Sequence, residues 1–118
     1  MRRFLTSVSN AIHGLVYVFS HESNFRIQVV VSLIIMAMSI VFPLKGYERI
    51  VIMLLITFVL VLELVNSAIE KFTDIIKPRL HTHVGIVKDI MAATVLISSV
   101  GAALLGMIIF IPYIIEIL

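Results

Sequence analysis

Three long apolar stretches, separated by short polar segments, constrain the fold of this chain more than any other feature of its sequence. They cover residues 27–44, 50–69 and 90–111. About twenty apolar residues in a helix cross the hydrocarbon core of a bilayer, so the first stretch is slightly short and the other two are long enough. Hydrophobic residues make up 61% of the 118-residue chain, which is more than a soluble domain of this length can bury. We therefore predict an all-α membrane protein with a single domain over residues 1–118.

The N-terminal segment 4–19 has the residue spacing of an amphipathic helix. Its apolar side chains recur at helical intervals, from Phe4 through Ile12 to Phe19, and its polar side chains fall largely on the other faces. A helix of this kind lies in the plane of the membrane interface. The prediction is thus one interfacial helix followed by three membrane spans.

Positive charges are concentrated on one side of the predicted spans. Seven Lys and Arg residues flank the side that holds the N-terminus and the connection over residues 70–89: Arg2, Arg3, Arg26, Lys71, Lys77, Arg79 and Lys88. The turn over residues 43–49 has only Lys45 and Arg49. Because segments rich in Lys and Arg stay in the cytoplasm, we expect a cytoplasmic N-terminus and an external C-terminus.

A stripe of polar side chains interrupts the second span near its cytoplasmic end. At about 100° per residue, five residues share one face of the helix: Glu63, Asn66, Ser67, Glu70 and Asp74. Glu63 lies about 10 Å deeper than Glu70 along the helix axis. A carboxylate at that depth costs several kcal/mol and is a candidate functional group, although a contact that joins two helices would also explain it.

The polar groups at the cytoplasmic interface suit phosphoryl transfer. A carboxylate held away from bulk water, as expected for Glu63, can act as a general base near neutral pH. Glu70 and Glu22 lie closer to the surface, and magnesium is typically bound by one or two carboxylates together with water and substrate phosphates. Lys88, followed by Asp89, can hold phosphate oxygens as a point charge. A charge cluster that only solvates the helix ends would give the same pattern.

The segment ELVNSAIEKFTD, residues 63–74, resembles the signature of the small bacterial membrane kinases of the diacylglycerol kinase and undecaprenol kinase family. The pair KD follows fourteen residues after Asp74, and NAIHG and ESNFR upstream fit the N-terminal half of the family pattern. The resemblance covers roughly residues 3–106. It implies a homotrimer in the bacterial cytoplasmic membrane that uses magnesium to transfer the γ-phosphoryl group of ATP to a lipid hydroxyl.

The resemblance also implies roles for individual residues. The general base of the family falls on Glu63 with Asn66 in support, and its magnesium-binding carboxylates fall on Glu22 and Glu70. The resemblance implies that eight residues contact the nucleotide, some of them through its phosphates or through the metal. They are Arg3, Asn10, Glu22, Glu70, Arg79, His81, Lys88 and Asp89. The partners expected are therefore ATP, a membrane lipid alcohol and the bilayer, and no nucleic acid.

Two questions stay open at this point. The lipid acceptor is diacylglycerol or undecaprenol, with ESNFRIQ and IEKFTD closer to the Gram-positive branch in which undecaprenol is often the acceptor. The alternative function is that of a non-enzymatic small membrane subunit, an assembly adaptor or a transporter component that uses Glu63 to bind a partner or a proton. A transporter needs polar groups near the midplane or on both sides of it, whereas here the ionisable residues gather on one side.

Overall fold

A computed structural model describes residues 1–76 and 82–118 in full, together with the backbone of His81. Within these residues the chain forms four helices and no strands, which confirms the all-α prediction. The helices are α1 (Arg2–His21), α2 (Ser23–Val41), α3 (Gly46–Ile76) and α4 (His81–Ile117). In the described part of the chain, α2, α3 and residues Thr82–Ile117 of α4 are long and apolar enough to cross a membrane. The protein is therefore a multi-pass membrane protein.

Helix α1 meets α2 at a sharp corner formed by Glu22. This residue is extended, with φ −113° and ψ 108°, so it ends α1 and precedes the first residue of α2. The Arg26 side chain donates hydrogen bonds of 2.8 and 3.0 Å to the carbonyl oxygens of Phe19 and Ser20, which have no partner within the helix at a C-terminus. The corner is thus fixed, and it holds the Glu22 carboxylate at the junction of the two helices.

The first membrane helix differs from its predicted range at both ends. It begins at Ser23 and ends at Val41, whereas the apolar stretch runs over 27–44. Phe42 is extended, with φ −77° and ψ 146°, because a residue that precedes proline is disfavoured in the α region. Arg49 then donates hydrogen bonds to the carbonyl oxygens of Ser39 (2.9 Å) and Phe42 (3.3 Å), which fixes the turn into α3.

The two later helices extend beyond their predicted spans of 50–69 and 90–111. Residues up to Ile76 belong to α3 and α4 begins at His81, so most of the polar connection predicted over 70–89 is helical. The polar stripe keeps its helical spacing as far as Asp74, and polar side chains do not by themselves end a helix. At its other end α4 continues through Pro112, as membrane helices can where neighbouring groups satisfy the freed backbone.

Helix α3 lies at the centre of the bundle and packs against α2 and α4. Away from Glu63, the core contains Leu44, Ile52 and Phe110, and Tyr113 donates a hydrogen bond to Glu48 that joins α4 to the start of α3. Gln28 of α2 donates a 3.3 Å hydrogen bond to Ser99 of α4. These contacts hold α2 and α4 against α3.

Candidate active site

The buried face of α3 changes from apolar to polar at Glu63. Ile52, Val59, Glu63 and Ser67 are all buried and recur at helical spacing along this face. Glu63 is 2% exposed. Its carboxylate therefore marks the boundary between the apolar interior of the bundle and a polar region toward the end of α3.

Two buried oxygen atoms at this boundary lack a hydrogen-bond partner within the described part of the chain. They are Oε2 of Glu63 and Oγ of Ser67, one helical turn further on. Buried polar groups are almost always satisfied in native proteins, and a buried carboxylate without a partner carries a penalty of several kcal/mol. A carboxylate that served only to join helices within the described part of this chain would have a partner at this oxygen. The arrangement favours a group kept ready for a ligand.

A polar cavity of about 400 Å³ lies between α1 and α3, beside Ser67. This volume falls in the range typical of small-molecule sites. Helix α1 and its corner contribute Gly14, Tyr17, Val18 and Glu22, and α3 contributes Leu64, Ser67, Ala68, Glu70, Lys71 and Asp74. Each set follows helical spacing, so the cavity is formed where one face of α1 approaches one face of α3. We call it the polar cavity.

The polar cavity brings together the carboxylates predicted to bind magnesium. Glu22 and Glu70 are both half-buried and both line it. Glu63 lies one helical turn before Ser67, which also lines the cavity. Among the described residues, no group of three acidic or histidine side chains could hold a metal ion by itself. Two carboxylates do fit a magnesium ion that completes its coordination with water and phosphate oxygens.

Two lysines bring positive charge to the same cavity. Lys88 Nζ lies 2.5 Å from Oδ1 of Asp74, an ion pair that links α4 to α3 at the cavity wall. Lys71 Nζ donates a 2.7 Å hydrogen bond to the Tyr17 hydroxyl and lies 5.2 Å from the centre of its ring. Neither Tyr17 nor Lys71 was a predicted site residue. Lys71 directly follows Glu70 in the sequence, but no local pattern indicates that α1 folds back to place Tyr17 beside it.

Other predicted residues are not brought to the polar cavity. Asn66 is half-buried one turn from Glu63 and does not line the cavity, and Asp89 is exposed on α4. Arg3 and Asn10 are exposed on α1, and the rise of an α-helix places them roughly 28 and 18 Å from Glu22 along its axis. Within one chain these two residues are therefore remote from the Glu22 carboxylate.

The two remaining predicted nucleotide contacts cannot be located. Arg79 and the side chain of His81 lie outside the residues that the structure describes. Their predicted roles therefore stay predictions.

This set of groups can support phosphoryl transfer between a water-soluble donor and an acceptor in the membrane. The polar cavity has carboxylates for a hydrated cation and lysines for phosphate oxygens. Glu63 lies deeper, where its free oxygen can accept a proton. Positioning and charge compensation are the main catalytic requirements of phosphoryl transfer.

Comparison with known proteins agrees with this chemistry. Residues 9–110 match the family model described as prokaryotic diacylglycerol kinase. The chain is 30% identical over 112 residues to undecaprenol kinase from Bacillus subtilis (strain 168), which covers 95% of this chain and 91% of that protein. It is 28% identical over 109 residues to diacylglycerol kinase from a Synechocystis species, which covers 92% of this chain and 62% of that protein. The family match includes Glu22, Glu63, Glu70 and Lys88, and we conclude that this chain belongs to the prokaryotic diacylglycerol kinase family.

Proposed function

We propose that this protein transfers the γ-phosphoryl group of ATP to the hydroxyl of a membrane lipid and uses magnesium to do so. The observation that carries the proposal is the buried Glu63 carboxylate, whose Oε2 has no partner in the described chain and which lies one helical turn from Ser67 at the wall of the polar cavity. The family match supports a kinase of this type.

In the proposed mechanism, Glu63 acts on the acceptor hydroxyl. Oε2 takes the hydroxyl proton while the hydroxyl oxygen attacks the γ-phosphorus, and the bond between that phosphorus and the bridging oxygen of ADP breaks. The products are a lipid phosphate and ADP, and the proton held on Glu63 is later released to water. Glu22 and Glu70 would hold magnesium, which when bound offsets the negative charge of the phosphates.

The polarity along α3 supports a lipid as the acceptor. Val59, one turn before Glu63, lies in the apolar part of the buried face, whereas Ser67, one turn after it, lines the polar cavity. ATP would enter from the polar side. A hydroxyl that reaches Glu63 from the apolar side must belong to a molecule that is soluble in the membrane.

Of the two acceptors, we favour undecaprenol over diacylglycerol. The relative named undecaprenol kinase is matched over 91% of its own length. The chain spans only 62% of the relative named diacylglycerol kinase. Agreement over nearly the whole length of a relative is the better guide to a shared substrate.

The proposal includes the bacterial cytoplasmic membrane, with the N-terminus and the polar cavity on the cytoplasmic side. ATP is available there, and seven Lys and Arg residues flank that side of the spans against two on the other. The family resemblance further implies a homotrimer, and we retain it as part of the proposal.

A single assay tests the proposal. Protein purified in detergent is given ATP labelled in the γ-phosphoryl group, magnesium, and either undecaprenol or diacylglycerol in mixed micelles. We expect labelled lipid phosphate with both alcohols and a higher kcat/KM with undecaprenol. No labelled lipid with either alcohol would contradict the proposal and favour the non-enzymatic subunit. A higher kcat/KM with diacylglycerol would overturn only the choice of acceptor.

A further inference from the structure

The two lysines at the polar cavity differ in how their charge is compensated. Lys88 forms an ion pair with Asp74 at 2.5 Å. Lys71 instead donates its 2.7 Å hydrogen bond to the hydroxyl of Tyr17. In the part of the chain that the structure describes, Lys71 forms no ion pair. The positive charge of Lys71 is therefore the less compensated of the two.

The position of Lys71 lets it meet a ligand in the cavity. It lies on the same wall as Glu70 and Asp74, its side chain is exposed, and Tyr17 faces it from α1. The hydrogen bond and the ring at 5.2 Å hold the ammonium between the two helices. A phosphate oxygen carries formal negative charge and accepts a stronger hydrogen bond from an ammonium than a phenol does. A phosphate that enters the cavity should therefore compete well with Tyr17 for Lys71.

We propose that Lys71 is a phosphate-binding residue of the polar cavity and that Tyr17 positions its ammonium for this contact. The inference rests on the proposed function, because the phosphate is taken to be that of the nucleotide donor. It adds to the roles implied by the family resemblance, which place phosphate contact on Lys88. A phosphate must compete with the Asp74 carboxylate for Lys88, whereas at Lys71 it replaces the hydroxyl of Tyr17.

The test compares substitutions at Lys71 in the full-length protein. Lys71→Met removes the charge and keeps an unbranched side chain, and it should raise the KM for ATP about tenfold or more, as expected for loss of one hydrogen bond to a charged group. The KM for the lipid acceptor should stay within about twofold, because only the phosphate contact is lost. Lys71→Arg keeps the charge and should stay within about threefold of the wild-type KM for ATP.

Two further variants separate positioning from general effects on the membrane helices. Tyr17→Phe removes the hydroxyl and keeps the ring, so its KM for ATP should rise, but less than in Lys71→Met. Lys45→Met is the matched control, because Lys45 also lies over a tyrosine ring, that of Tyr47 at 5.8 Å, in the turn between α2 and α3. This control should leave both KM values unchanged.

Binding of ADP without lipid acceptor gives a second readout that needs no turnover. Weaker ADP binding by Lys71→Met, restored in Lys71→Arg, is the expected result. An unchanged KM for ATP in Lys71→Met would overturn the inference. So would equal increases in both KM values together with lower thermal stability, which would make Lys71 a structural link between α1 and α3.

If Lys71→Met weakens inhibition by the lipid phosphate product and leaves ADP binding unchanged, the nucleotide assignment is wrong. All of these comparisons use a wild-type protein that phosphorylates lipid. A wild-type protein without this activity would contradict the proposed function rather than the role of Lys71.

Discussion

Replacing Glu63 by glutamine is expected to lower the turnover number for lipid phosphorylation by about 10²- to 10⁴-fold, the usual contribution of a general base. Glutamine keeps nearly the same shape but cannot take the proton of the acceptor hydroxyl. The KM values for ATP and for the lipid should change little, because the substitution leaves the lining of the polar cavity in place. Initial rates measured with both substrates at saturation test this expectation.

The same substitution should not unfold the protein. Glu63 is 2% exposed, and an uncharged amide in its place avoids the cost of burying an unpaired charge. We therefore expect the thermal midpoint of Glu63→Gln to equal or exceed that of the wild type, with oligomeric assembly unchanged. Glu48→Gln is a matched control on α3, at the end where Glu48 accepts a hydrogen bond from Tyr113, and it should keep wild-type turnover. Near wild-type turnover in Glu63→Gln would remove Glu63 from the mechanism.

Replacing Glu22 or Glu70 by glutamine is expected to raise the magnesium concentration needed for half-maximal activity by about tenfold or more, the effect of losing one charged ligand contact. Both carboxylates line the polar cavity, and each would supply an oxygen to the cation. A higher magnesium concentration should restore part of the rate in each single variant. The double variant should recover less than either.

A magnesium titration of initial rates tests this prediction. Glu116→Gln provides the control, because Glu116 is exposed near the C-terminal end of α4, and it should leave the titration unchanged. If both Glu22→Gln and Glu70→Gln gave the wild-type titration, magnesium would have to be bound elsewhere. A lower maximal rate with an unchanged titration midpoint would likewise contradict the assignment of these residues as ligands.

The existence of the helices followed from the sequence, but several of their ends did not. Apolar stretches and helical spacing are local features, and they were enough to predict one amphipathic helix and three membrane helices. Hydrophobicity, however, indicates where the bilayer lies and not where a helix ends. Thus α2 ends before Pro43 for a backbone reason, while α3 continues through the polar stripe to Ile76.

In the site, too, features within one helix were predictable from the sequence, whereas contacts between distant segments were not. Glu63, Ser67, Glu70 and Asp74 lie on one helix, so their common face could be deduced from spacing alone. The contact of Lys71 with Tyr17 required α1 to fold back against α3, which depends on the corner at Glu22 and on packing between distant segments.

The residues given roles by the family resemblance lie at different distances from the polar cavity. Arg3 lies far along α1 from the polar cavity, whereas Asn10 lies one helical turn from Gly14, which lines it. Their predicted contacts with nucleotide stay predictions. The Glu22 carboxylate, in contrast, is held at the end of the same helix, where the chain turns toward α2.

The most direct test of the central claim is an experimental structure of the protein with magnesium and a non-hydrolysable ATP analogue. Our account predicts that the phosphates occupy the polar cavity, that Glu22 and Glu70 contact the metal, and that Oε2 of Glu63 faces the γ-phosphate across the space for the acceptor hydroxyl. A nucleotide bound away from this cavity, or a Glu63 side chain directed toward acyl chains or bonded to another helix, would contradict it.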